Sequence, residues 1–256
     1  MRFKLFILIP ILLFFQAIIH GQVAASSEAS INLGYTSFHT DFGQEGIFSS
    51  SLQSGFAVGA SLYINFFNRD PLYFTSPNWM QKHLKLKVEG SYLSANLDYL
   101  RSGYDDIKDI TGKSKVINFG GILEYHPMAI PDFVTRKQKM FEPYFGFGVL
   151  GGYSMPGQLT GNTNKPAFTG DAINTNSTLT ISVIGSGGFR VNLGYDTTLL
   201  IDMRWQRFFS DYIDGMSPNK DVVPTNTAND WLYYLNVGYV FDFGPGSKTS
   251  TWFKRR

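Results

Sequence analysis

Hydrophobic and polar positions alternate with a period of two along most of this chain, and helical spacing is scarce beyond the first two dozen residues. The rhythm breaks into about eight runs separated by turn-rich stretches. Ala29 to Phe38 places Ile31, Leu33 and Tyr35 on one face; Gly55 to Phe67 opposes Phe56, Val58, Ala60, Leu62, Ile64 and Phe66 to Ala57, Gly59, Ser61, Tyr63 and Asn65. His83 to Leu93 sets Leu84, Leu86, Val88 and Tyr92 against Lys85, Lys87, Glu89 and Ser91, and Val116 to His126 sets Ile117, Phe119, Leu123 and Tyr125 against Asn118, Ile122 and Glu124. Phe141 to Tyr153 carries Phe145, Phe147, Val149 and Tyr153 with glycines between, and Thr178 to Val191 carries Leu179, Ile181, Val183 and Phe189 with Arg190 near its end. Thr197 to Phe208 opposes Leu199, Ile201, Met203 and Trp205 to Asp202, Arg204 and Gln206; Trp231 to Phe243 is the last run. The pattern predicts an all-β domain.

The two ends differ from the middle. Arg2 and Lys4 precede an apolar run from Leu5 to Ile19, followed by the small residues Gly21, Ala24 and Ala25. Charged, apolar and small-residue regions in that order read as a cleaved secretory leader, so residues 1–25 stand apart from the fold. Residues 26–243 form the predicted barrel domain, and 244–256 form a tail ending Trp252, Phe253, Lys254, Arg255, Arg256. Outside the leader no segment approaches the roughly 20 apolar residues that a membrane helix needs. Strands must therefore do any spanning.

Charge and cysteine narrow the chemistry. The chain has 22 Lys+Arg against 20 Asp+Glu, and loss of Arg2 and Lys4 with the leader leaves the mature chain balanced. Such a balance lacks the basic footprint of a nucleic-acid-binding protein. Cysteine is absent, which excludes disulfides, thiolate metal sites and a cysteine nucleophile. Aromatics at 16% and 26 glycines suit a closed sheet in a bilayer, where rings gather at the interfaces and glycines let strands coil.

These features together predict a transmembrane antiparallel up-and-down β-barrel of about eight strands, the size of OmpA and OmpX, in the cell outer membrane. Within the last run, Asn236, Gly238, Phe241 and Phe243 form a polar-x-Gly-x-x-aromatic-x-aromatic string. It resembles the C-terminal signal by which the barrel-assembly machinery of Gram-negative bacteria recognises its clients. Charges on alternate positions cannot face hydrocarbon, so Lys85, Lys87, Glu89, Glu124, Arg190, Asp202, Arg204 and Gln206 are expected to line the lumen. Eight strands enclose a space just wide enough for side chains to fill, which favours a paired ionic plug over an open pore.

Direction follows from loop length. Outward connections are expected at His39 to Ser54, Ser94 to Lys115, Met155 to Ser177 and Phe209 to Asp230. Asn192 to Asp196 is a tight inner turn, but Asn68 to Lys82 and Pro127 to Met140 are long for the periplasmic side. These hold Pro71, Pro77, Trp79, Pro131 and the basic cluster Arg136, Lys137 and Lys139. With Lys254, Arg255 and Arg256 they make a candidate partner-binding surface, the alternative being solvated loops.

Catalytic constellations are thin. Glu124 and His126 share a strand face and offer an acid-base pair; the competing reading is a strand-end histidine at the membrane interface. The stretch Tyr104 to Asp109 is acidic but lacks the glycine and terminal glutamate of a calcium loop. No serine, histidine and carboxylate set, dinucleotide fold signature, phosphate loop or zinc spacing is present, so no enzyme, cofactor or metal is expected.

The segments Asn118 to Tyr125, Pro143 to Gly148, Phe209-Ser210-Asp211-Tyr212-Ile213-Asp214-Gly215 and Asn229-Asp230-Trp231 fall in an order that resembles a family of small outer-membrane barrels. That family is the PorG-like one, an accessory of the type IX secretion system. The resemblance spans about Asn118 to Phe243 and implies a non-enzymatic barrel that contacts periplasmic secretion-ring proteins and aids protein transport and, in some bacteria, gliding. The alternative is a stand-alone surface barrel for adhesion or membrane integrity acting through its outward loops.

Overall fold

A computed structural model describes residues 28–39, 53–65, 79–98, 111–130, 140–157, 160, 176–193, 197–210, 213–215 and 230–242. Eight strands run in sequence order: β1 (Glu28–His39), β2 (Gln53–Asn65), β3 (Leu84–Asp98), β4 (Thr111–Tyr125), β5 (Phe141–Pro156), β6 (Thr178–Asn192), β7 (Thr197–Phe208) and β8 (Trp231–Asp242). Each pairs antiparallel with the next, and β1 pairs with β8, so the sheet closes into an up-and-down barrel without free edges.

Alternation decides which side of the wall each residue meets. On β4 the pattern is regular from Ser114 to Tyr125: Val116, Asn118, Ile122 and Glu124 are buried, while Ile117, Phe119, Leu123 and Tyr125 are exposed. The outer wall is almost wholly apolar, and Leu33, Phe147 and Met203 are each more than 60% exposed. Each such side chain gains about 1.5–3 kcal/mol on leaving water, so a continuous belt of them is untenable in an aqueous monomer and natural in a bilayer. Aromatic rings mark both margins, with Trp205 and Trp231 in edge contact at 5.3 Å at one end and Tyr239 and Phe241 at 4.4 Å at the other. No helix among the described residues is long and apolar enough to cross a membrane. The wall does the crossing.

Two expectations shift. The third and fourth runs were bounded at Leu93 and Val116, yet β3 continues to Asp98 and β4 begins at Thr111, so much of the expected loop is paired strand. There the outward residues Asn96, Lys113 and Lys115 are polar, while Ala95 and Leu97 stay buried in the apolar core, so the ladder continues with its inner face still packed. Part of the expected periplasmic loop is also a helix, α1 (Trp79–His83), too short to leave a periodic signal. The leader, the acidic stretch Tyr104 to Asp109, Phe243 and the basic groups Arg136, Lys137, Lys139, Lys254, Arg255 and Arg256 lie outside the described residues.

The closing seam has a local cause. β1 holds Asn32-Leu33-Gly34 and β8 holds Asn236-Val237-Gly238, and the antiparallel register sets Asn32 opposite Gly238 and Gly34 opposite Asn236. Each asparagine lies where a neighbouring Cβ would be: one added at Gly34 would sit 2.1 Å from Asn236 Oδ1 and 2.6 Å from the Leu235 carbonyl, and one at Gly238 would sit 2.1 Å from Asn32 Oδ1. Overpacking of this kind costs about 1–3 kcal/mol in a tight interior. Gly34→Val is therefore expected to lower the urea midpoint of refolding in detergent and to reduce the heat-modifiable compact band on gels, whereas Leu33→Val on the lipid face leaves both near wild type.

Candidate functional site

The lumen is built in tiers. At the end of the barrel where β1 begins and β8 ends, Glu28 of β1 accepts from Lys85 Nζ at 3.0 Å and from Arg190 Nη1 at 2.9 Å. Arg190 also donates through Nη2 to Glu124 Oε2 at 3.1 Å. Two carboxylates and two cations from four strands thus cancel. At mid-barrel a second knot joins opposite walls: Lys87 Nζ lies 2.8 Å from Glu89 Oε2 and 3.8 Å from Asp202 Oδ2, and Arg204 donates to both Glu89 and Asp202. Tyr63 stands between the knots, its ring 4.3 Å from the Arg190 guanidinium and 5.9 Å from Lys87 Nζ.

Burial makes the pairing obligatory. Lys87, Glu89, Glu124, Asp202 and Arg204 are all at most 2% exposed, and an unpaired ion in such a place costs several kcal/mol. Gln206 belongs to a separate layer. Its Oε1 accepts from Asn118 Nδ2 at 3.3 Å and from the Tyr234 hydroxyl at 3.2 Å, and its Nε2 donates to Ser182 Oγ at 2.8 Å. Above it Phe38, Leu93, Val116, Leu150, Phe208 and Leu232 form an apolar cap.

That cap is completed from outside the wall. Ile213, in the connection between β7 and β8, is fully buried among these side chains. Its carbonyl accepts from Ser114 Oγ at 2.5 Å, and its N–H donates to Asp230 Oδ2 at 3.1 Å. Gly215, two residues on, has φ of 87°, a left-handed turn that glycine adopts without steric cost. The connection is read from sequence as a solvated outward loop; a single isoleucine in a polar stretch has no period to betray its insertion. Glu28 also escapes the sequence reading, because the first run was started one residue later, at Ala29.

His126 lies just past β4 yet points inward, 1% exposed, stacked on Tyr144 at 5.8 Å with Nε2 3.6 Å from Glu124 Oε2. Glu124 Oε2 is already held by Arg190, so the pair is part of the ionic layer and faces no open cleft. Of the string in β8, Asn236 and Gly238 face the seam, while Phe241 is outside against Tyr239.

The rim on the side of α1 is cross-tied. The Ile130 N–H donates to the Lys82 carbonyl at 2.7 Å, the His126 N–H to the His83 carbonyl at 2.7 Å, and His83 Nδ1 to the His126 carbonyl at 2.6 Å. Trp79 of α1 stacks on Tyr125 at 5.9 Å. Met80, Met128 and Met140 remain exposed around it.

No protein-family model matches this chain, and no curated protein does. Among solved structures it is similar to Neisserial surface protein A, with 11% identity, 84% of this chain and 96% of the other covered, and a TM-score of 0.46. A major outer membrane protein of Thermus thermophilus aligns at 14% identity over 84% of this chain and 98% of its own, TM-score 0.45. Ail, the attachment invasion locus protein of Yersinia pestis, aligns at 15% over 84% and 99%, TM-score 0.38.

Removing one member of a buried ionic knot strands the others. Arg204→Met is expected to cost about 3–5 kcal/mol of folding stability, measured by reversible denaturation in detergent, while Met203→Leu next to it on the lipid side costs under about 1 kcal/mol. Planar-bilayer recordings of the wild-type barrel are expected to show no stepwise ion conductance. A closed sheet with a hydrocarbon-facing wall and a neutralised, filled lumen has one environment that suits it, and this chain is a multi-pass β-barrel of the outer membrane.

Proposed function

We propose that this barrel is a non-enzymatic anchor and adaptor in protein secretion, of the PorG-like kind associated with the type IX system, and that it docks periplasmic ring proteins at its inner face. The observation that carries the reading is the filled lumen. Side chains of the barrel occupy it from the Glu28 knot to the Ile213 cap, which leaves the two ends and the lipid face for function. The inner end offers more than a turn: α1 and the residues after β4 are hydrogen-bonded to each other, with adaptable methionine side chains exposed beside them. Arg136, Lys137 and Lys139 and the tail Lys254, Arg255 and Arg256 would add the charge that selects a partner. Asn236, Gly238, Phe241 and Phe243 would present the barrel to the assembly machinery before insertion.

A second reading rests on the uneven outer rim. β3, β4 and β5 extend together, with Thr111 and Thr160 joined by paired backbone hydrogen bonds of 2.8 Å, and such a ridge would suit a surface binder. Neutralising the six basic residues is expected to leave heat-modifiable folding intact and to abolish co-purification of periplasmic partners after cross-linking in cells. Persistence of those partners would move the docking surface elsewhere. Trimming the outward loops separates the readings, since secretion should survive it and surface binding should not.

A further inference from the structure

The lipid-facing wall carries no charge through its apolar belt among the described residues, and two cations appear together where the belt ends. Lys113 and Lys115 of β4 are both exposed, while Ser114 and Val116 beside them are buried in the lumen, so the pair points away from the barrel. One step inward is Ile117, flanked in register by Tyr92 and Tyr153, rings of the type that settle at a membrane margin. Two strand residues advance about 6.6 Å, or about 5 Å along the membrane normal at the usual tilt, and the headgroup layer is about 5–8 Å thick. Lys115 therefore stands at headgroup depth and Lys113 at its outer margin.

The pair has free binding capacity. No described carboxylate makes an ion pair with either lysine, whereas Arg207 on the far wall lies over the Trp231 ring at 5.5 Å. Exposed Asn96 is opposite Lys113 in the ladder. Ser94 is opposite Lys115; it is 2% exposed and its hydroxyl has no partner among the described residues. In β3 to β6 the one acidic residue of matching parity is Asp98, at the end of β3 opposite Thr111. Two ammonium donors with an exposed amide beside them suit the oxygens of a phosphate monoester.

We infer that Lys113 and Lys115, with Asn96 beside them, bind the phosphorylated headgroup of an outer-leaflet glycolipid. A side chain directed outward at this depth meets lipid before it meets a soluble ligand, which is why the headgroup is the source assigned. The inference depends on the termini being periplasmic and not on the secretion role.

The test uses the mature barrel in phosphatidylcholine vesicles, alone or with bis-phosphorylated or dephosphorylated lipid A, and reads lipid retention by native mass spectrometry after extraction. The wild type should retain the phosphorylated form preferentially. Lys113→Gln with Lys115→Gln should weaken retention by about fivefold per lysine, and added salt should do the same. Lys82→Gln, at the opposite end, serves as the control and should retain the lipid fully; heat-modifiability on gels verifies that each variant is folded. Equal retention of dephosphorylated lipid, unchanged retention by the double variant or an equal loss in the control would overturn the assignment. So would competition by millimolar inorganic phosphate in the wild type, which would make the site one for a soluble ion.

Discussion

A charge inside a barrel wrapped in hydrocarbon has no solvent to fall back on, so it must be cancelled by an opposite charge within the lumen. Everything in this lumen follows from that constraint. Glu28, Glu124, Lys85 and Arg190, from four strands, form one neutral knot, and Lys87 and Glu89 of β3 with Asp202 and Arg204 of β7 form another. Such pairs contribute less net stability than their short contacts suggest, because desolvation offsets much of the attraction. Their consequence is specificity: with two residues per repeat, a one-residue slip of any strand would send its ions into lipid and its aromatics into the lumen.

The same constraint shapes function. Ions fill the lumen from the Glu28 end to mid-barrel, amides and hydroxyls form the next layer, and aliphatic and aromatic groups close the far end, where Ile213 is drawn in from a connection. Glu124 and His126, the most suggestive acid-base pair in the chain, are absorbed into this packing. What remains for recognition is the cross-tied rim beside α1, the ridge of β3 to β5 and the lipid-facing margin with its two lysines.

Much of the wall was legible from alternation. The runs around Phe56, Phe119, Phe147 and Met203 have large apolar residues every second position because one side is lipid, and that signal survives in a single sequence. It fades where β4 begins, at Thr111-Gly112-Lys113-Ser114-Lys115, whose residues are small or polar on both faces; β3 still alternates opposite them, with Ala95 and Leu97 buried and Asn96 exposed, but that short stretch merges into the turn-rich sequence after it. It was also silent about α1, which at five residues is shorter than two helical turns.

By itself the sequence determined the class of fold, a strand count of about eight and the inward parity of Lys85, Lys87, Glu89, Glu124, Arg190, Asp202, Arg204 and Gln206, since these depend on period and composition; the count of eight was settled by closure. Which ion meets which, and that Gln206 joins the amide layer instead of the ionic knots, was decided by closure of the sheet. So were the reciprocal Asn and Gly seam between β1 and β8 and the seating of Ile213. Residues 197 positions apart, such as Thr36 and Tyr233, become neighbours when the barrel shuts, and no local pattern encodes their pairing.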